Sequence, residues 1–157
     1  MLTPTVIESF LAMGGRELRE ALDGGHAIDP CELDDSRYRG ISLGLPALFD
    51  RLFWKTFEKT FHRDGAELRG WNVRLEQTGL RGEVRPIMKR ELPLTFGHYR
   101  VREGQGRLEL VYGAMVDPLV ALEERGLTWL LGRSDLFGVP TPSYFLLQRI
   151  GPLTYVP

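Results

Sequence analysis

The chain has 157 residues, 43% hydrophobic and 26% charged, with a formal net charge of −1. That balance is ordinary for a globular domain, and it excludes the strongly basic surface that bulk attraction to nucleic acid needs. A single cysteine, Cys31, excludes an intrachain disulfide. Among the cations, 17 Arg stand against 3 Lys; Arg grips carboxylates and phosphates bidentately, although genome base composition is the plainer source of the bias. The first residues have no basic stretch ahead of an apolar one, and no apolar run nears the ~20 residues of a membrane span. One cytoplasmic domain over 1–157, without stable membrane insertion, is the expectation.

In chain order, residues 3–22 read as an amphipathic helix or two short ones, with Val6, Ile7, Phe10, Leu11, Leu18 and Leu22 as the apolar stripe and Gly14-Gly15 as a break. Residues 23–35, rich in Gly, Asp and Pro, read as a connector. Tyr38, Ile41 and Leu43 begin a strand. Pro46 then stands where a first helical residue would stand. Phe49, Phe53, Phe57 and Phe61 recur every fourth residue, so the spacing predicts a Phe-rich helix over 46–61 with one wide aromatic face.

Residues 68–77 alternate, with Trp71, Val73 and Leu75 on one side, and read as a half-buried strand. Residues 83–92 read as a strand that Pro86 marks as an edge or irregularity. Residues 94–102 and 107–112 form a hairpin about the loop 103–106. Residues 113–125 have no single reading, and Asp117-Pro118 offers a start for a helix running to Arg125. A strand over 127–131, a long loop over 132–142 and an apolar strand over 144–150 complete the pattern. Loops this short cannot join parallel strands. The fold class expected is mostly β or α+β: a curved antiparallel sheet, or a lipocalin-like barrel of six to eight strands, carrying the N-terminal helix and the Phe helix. An α+β cone is the alternative. The β body spans 36–150.

Two groups of segments resemble a known family. Tyr38-Arg39-Gly40, followed by Trp54-Lys55, resembles the GXWXG domain, with Ser36 in place of the first Gly and Tyr38 in place of the Trp. Residues 113–119 (GAMVDPL), 127–135 (LTWLLGRSD) and 144–149 (YFLLQR) resemble the uncharacterised domain that often follows it, although the spacing around Asp117 and Pro118 departs from its pattern. The resemblance implies a lipocalin-like or fatty-acid-binding-protein-like barrel and no known catalytic residues.

No residue pattern announces chemistry. His26, His62 and His98 have no metal-ligand spacing, and no nucleophile elbow, phosphate loop or dinucleotide fingerprint is present. No metal and no cofactor are expected. Asp34-Asp35 reads as a solvated loop. Asp117 reads most simply as a helix N-cap, with general base as the sharper alternative. His98 shares a strand face with Phe96 and Arg100. A surface position is the plain reading of that pair; the sharper one is a polar pair that orients a ligand's carboxylate. Phe49, Phe53, Phe57, Phe96, Trp71 and Trp129 are the aromatics assigned to line the pocket, beside a core reading for each.

The function expected is binding of a small apolar or amphipathic, lipid-like ligand, including one that bears a carboxylate. A small cavity enzyme doing proton transfer through His98 or Asp117 is the alternative, and a homodimeric interaction protein is the second alternative. Nucleic acid is not an expected partner.

Overall fold

The computed structural model describes residues 4–45, 55–76 and 85–157. Two helices, α1 (Pro4–Leu11) and α2 (Gly15–Gly24), and one turn, α3 (Pro30–Leu33), precede the strands. The helix break falls at Gly14, the N-cap of α2, whose backbone N–H donates to Glu17 Oε2 at 2.7 Å. The strands follow in order: β1 (Ser36–Leu43), β2 (Thr56–Asp64), β3 (Glu67–Arg74), β4 (Met88–Lys89), β5 (Leu92–Pro93), β6 (Thr95–Gly104), β7 (Arg107–Tyr112), β8 (Met115–Glu124), β9 (Leu127–Leu136) and β10 (Val139–Gly151). Eight of them close into an antiparallel barrel in the order β1-β10-β9-β8-β7-β6-β3-β2, and β4 and β5 pair with each other outside it. The lipocalin-like architecture expected from the sequence is the one observed. No described helix is long and apolar enough to cross a membrane.

Tight turns make the meander. Between β8 and β9, Arg125 and Gly126 both take positive φ, at 53° and 74°, while Glu124 pairs with Leu127. Two consecutive left-handed residues are the mark of a type I′ turn, whose twist matches that of the strands it joins. Phe137 and Gly138 repeat the arrangement between β9 and β10, at 51° and 76°.

Four sequence expectations are corrected. Residues 56–61 are strand β2, not the end of a Phe helix; the rest of that expected helix, with Phe49 and Phe53, lies outside the described residues. A spacing of four puts side chains on one face of a strand as well as of a helix. The intervening Thr56 and Thr60, both β-branched, favour the strand. Asp117-Pro118 lies within β8, where Asp117 pairs with Leu110 and Pro118 with Glu109. The loop expected over 132–142 is largely strand, because β9 runs on to Leu136 and β10 begins at Val139. The strand expected over 83–92 appears as a bridge from Leu75 to Pro86 and the small β4–β5 hairpin; residues 77–84 are not among those described.

Alternation sorts the side chains into two cores. Outside the barrel, Val6, Ile7 and Phe10 of α1 and Leu18 and Leu22 of α2 pack on Ile41, Leu43, Val120, Trp129, Leu131, Tyr144 and Leu146. Inside, Tyr38, Phe61, Tyr99, Leu108, Leu110, Leu119, Leu130 and Leu147 fill the barrel. Ile28 and Leu33 join that inner cluster from the segment just ahead of β1, closing this end of the barrel. The opposite end, where β1 finishes and β10 starts, is not filled by the described residues.

Candidate functional site

A cavity of about 420 Å³ opens at the unfilled end. Phe57, Phe96, Tyr112 and Phe145 are its aromatic walls, Ser42, Ser134 and Ser143 contribute hydroxyls, and Lys59, Asn72, Arg74 and Asp117 supply the stronger polar groups. Its size is that of a pocket for a small organic ligand, a class that spans roughly 300–1,000 Å³.

Lys59 is the unusual member. Strand alternation sets it between Phe57 and Phe61 on the inward face of β2, and it is only 3% exposed. Its Nζ donates to Asn72 Oδ1 at 3.0 Å and lies 3.6 Å from Asp117 Oδ2. Four rings surround it: Nζ is 4.8 Å from the Tyr99 centroid, 4.9 Å from Phe145, 5.7 Å from Tyr112 and 5.8 Å from Phe57. An ammonium gains from ring faces at such distances, yet those rings also displace the water that would solvate it. Burial pushes the Lys59 amine below its ordinary pKa, against the pull of the Asp117 carboxylate.

Asp117 is 1% exposed. Tyr112 donates its hydroxyl proton to Asp117 Oδ2 at 2.6 Å. Oδ1 has no hydrogen-bond partner of good geometry among the described residues, although the Ser134 hydroxyl lies near enough to favour the carboxylate. Burial still dominates and raises the carboxyl's pKa, with Lys59 the largest opposing influence. Burial likewise holds the Tyr112 and Tyr99 hydroxyls protonated, helped by the nearby Asp117 charge. Tyr99 donates to the Thr60 carbonyl at 2.7 Å. Lys59, Asp117 and Tyr112 therefore form one buried acid–base group with its proton balance shifted toward neutral partners.

Of the residues singled out in the sequence, Phe57, Phe96 and Asp117 meet in this cavity. His98 and Arg100 do not. A register shift between β3 and β6 and the positive φ of Gly97 place them on the outer face, both exposed. There they line a separate surface depression with Trp71 and Glu67. His98 stacks on Trp71 at 6.3 Å, and Arg100 sits 3.7 Å from Glu67. Trp71 belongs to a small outer cluster with Val73 and Leu75, and Trp129 is buried between barrel and helices. Asp34 accepts from the Arg63 backbone at 2.8 Å, and Asp35 is the positive-φ residue ahead of β1.

Lys59, Asn72, Tyr112 and Phe145 were not among the site residues read from the sequence, whereas Arg74, a strand-interior arginine weighed with Arg90 and Arg100 as a carboxylate holder, does line the cavity. A signal for Lys59 was present: read with a period of two, FEKTF puts a lysine between two phenylalanines on one strand face. Among the described residues, no group of three His, Cys, Asp or Glu side chains could hold a metal ion.

Comparison with protein families, curated proteins and solved structures finds no match. The chemistry of the cavity is therefore read from its own residues. Among the described residues, the lining carries two cationic side chains, Lys59 and Arg74, against one carboxylate, Asp117. Arg74 also holds its guanidinium 5.2 Å from the Phe96 ring centroid.

Proposed function

We propose that the chain binds a small amphipathic molecule with an anionic head in the barrel cavity. The observation that carries this reading is an aromatic-walled cavity of about 420 Å³ whose described lining includes two cations, Lys59 and Arg74, and one carboxylate, Asp117. Phe57, Phe96 and Phe145 cover the apolar body, at roughly 25 cal/mol per Å² of apolar surface removed from water before the costs of ordering. Arg74 and Lys59 supply the positive charge that attracts the head. The resemblance of the short segments 38–40, 113–119, 127–135 and 144–149 to the GXWXG pair of domains accords with a ligand-holding barrel. Titration with 1-anilinonaphthalene-8-sulfonate, followed by displacement with octanoic acid and with octanol, tests it. The acid displaces the probe at concentrations about tenfold or more below those of the alcohol, since a hydrogen bond to a charged group contributes about 1.5–3 kcal/mol. No displacement by either, or equal displacement by both, overturns the anionic-head reading.

A further inference from the structure

Lys59 asks for more than a role in attracting charge. A lysine that serves only as a cation gains most at the rim of a site, where water still solvates it. Here the amine is fixed inside the barrel by Asn72 and by the Tyr99 and Phe145 rings, and it borders the cavity. We propose that Lys59 forms a reversible imine with an aldehyde held in the cavity, Asp117 and Tyr112 handling the protons. The inference rests on the cavity being a ligand site and adds to that reading a reactive carbonyl, held at Lys59, on the ligand's apolar body.

The geometry supplies each requirement. A nucleophilic lysine must be a free amine, and the carboxylate 3.6 Å from Nζ is placed to hold the proton the amine gives up. Burial moves the pair in that direction, lowering the amine and raising the acid. The Nζ lone pair then attacks the carbonyl carbon. The carbon–nitrogen bond forms, and the carbonyl π electrons move to oxygen, which takes a proton from Asp117. Nitrogen returns one proton to Asp117. Asp117 then passes that proton to the departing oxygen as the carbon–oxygen bond breaks, water leaves, and the nitrogen gives its remaining proton back to Asp117. The sum is R–CHO and Lys59–NH₂ giving R–CH=N–Lys59 and H₂O, with no oxidant or reductant consumed. Tyr112, donating to Asp117 Oδ2 at 2.6 Å, steadies the carboxylate whenever it is ionised. When protonated, the imine nitrogen keeps a positive charge opposite Asp117, so the buried pair survives the reaction. The aromatic walls that exclude water also slow hydrolysis of the adduct.

The chain has three lysines, Lys55, Lys59 and Lys89, so the site of reaction is easily read. Lys89 is exposed on the β4–β5 hairpin and reports ordinary surface reactivity. The whole protein is incubated at neutral pH with trans-cinnamaldehyde, trapped with sodium cyanoborohydride, and analysed by intact mass and peptide mapping. The expected result is one adduct per chain, on Lys59, at a dose that leaves Lys89 unlabelled. Lys59→Arg, which keeps a cation opposite Asp117, abolishes it. Asp117→Asn slows it by about a hundredfold, the usual scale of a positioned acid–base group; circular dichroism confirms the fold of each variant. Cinnamyl alcohol cannot form an imine, and its displacement of 1-anilinonaphthalene-8-sulfonate separates the two readings. If alcohol and aldehyde both displace the probe and Lys59 stays unlabelled, the imine is overturned and the cavity remains a binding site. If neither displaces it and label collects on Lys89, both are overturned. An unchanged rate in Asp117→Asn overturns the proton-handling role of that residue.

Discussion

Lys59 and Asp117 form a buried ion pair, and such pairs are costly to halve. Lys59→Met leaves the Asp117 carboxylate facing aromatic rings without its cation. The expected loss is about 3–5 kcal/mol, and the double variant Lys59→Met/Asp117→Leu recovers most of it. Urea denaturation of the two single variants and the double variant measures the cycle; a double variant as unstable as Lys59→Met would overturn this account. Glu58, the outward neighbour of Lys59 on β2, gives a separate test. Its carboxyl is pushed up by burial, against the pull of Arg37, 3.6 Å away, and of Arg39. The folded chain therefore keeps this proton to a higher pH than the unfolded chain does. Its contribution to stability is complete below the unfolded pKa, about 4.3, and is lost as pH rises through the folded value. Glu58→Gln removes that dependence. Relative to the parent, the variant's Tm should rise as pH goes from about 4 to about 7. A constant difference across that window contradicts the shift. At this scale the sequence was read incompletely. Asp117 and Phe57 could be named from residue type and pattern, but Lys59 could not, because a lysine within a supposed helix is assigned by default to the solvated side.

The elements show why that happened. Phe57 and Phe61 lie four apart, and four is compatible with both the helical and the strand period. Only the neighbours decide, and here the decision moved every side chain of the segment to a new face. The alternating strand over 68–77 was legible because Trp71, Val73 and Leu75 at spacing two have no helical reading. The glycines opposite the cavity aromatics are a second element-scale feature. A Cβ at Gly40 would overlap the Phe57 ring, and one at Gly132 would overlap Phe145. Each bare backbone position on one strand seats the ring of its cross-strand partner on the next. Gly132→Ala should push the Phe145 ring toward the cavity, destabilise the fold by about 1–3 kcal/mol and weaken binding of 1-anilinonaphthalene-8-sulfonate. Unchanged probe affinity would mean that Phe145 does not set the width of the cavity.

For the whole molecule, antiparallel connectivity followed from loop length alone, and it led to the right architecture. Closure of the barrel stood in the sequence as one of two architectures, a curved sheet being the other, because it depends on β1 meeting both β2 and β10. The external helices are part of that closure. Phe10 is 2% exposed against the outer faces of the barrel strands. Phe10→Ala should cost about 3–5 kcal/mol by thermal or urea unfolding, as deep aromatic truncations do. A loss below about 1 kcal/mol would mean that the helices only rest on the barrel, as surface substitutions usually fall within ±0.5 kcal/mol.

The pairing of Tyr38 with Arg149 and of Ile41 with Leu146 also bears on how the molecule comes into being. The first strand waits for a partner roughly a hundred residues downstream, so its outer edge has nothing to hold until most of the chain has left the ribosome. Contacts this distant in sequence place folding in the slow, millisecond-to-second regime of non-local β topologies. The helices sit ahead of β1 in the chain but rest on strands as late as β10, so they too dock late. Synthesis therefore passes through a stage in which a nearly finished sheet has two unsatisfied edges. That stage, rather than the finished barrel, is where a nascent copy of this protein is most open to chaperones and to mispairing with its neighbours.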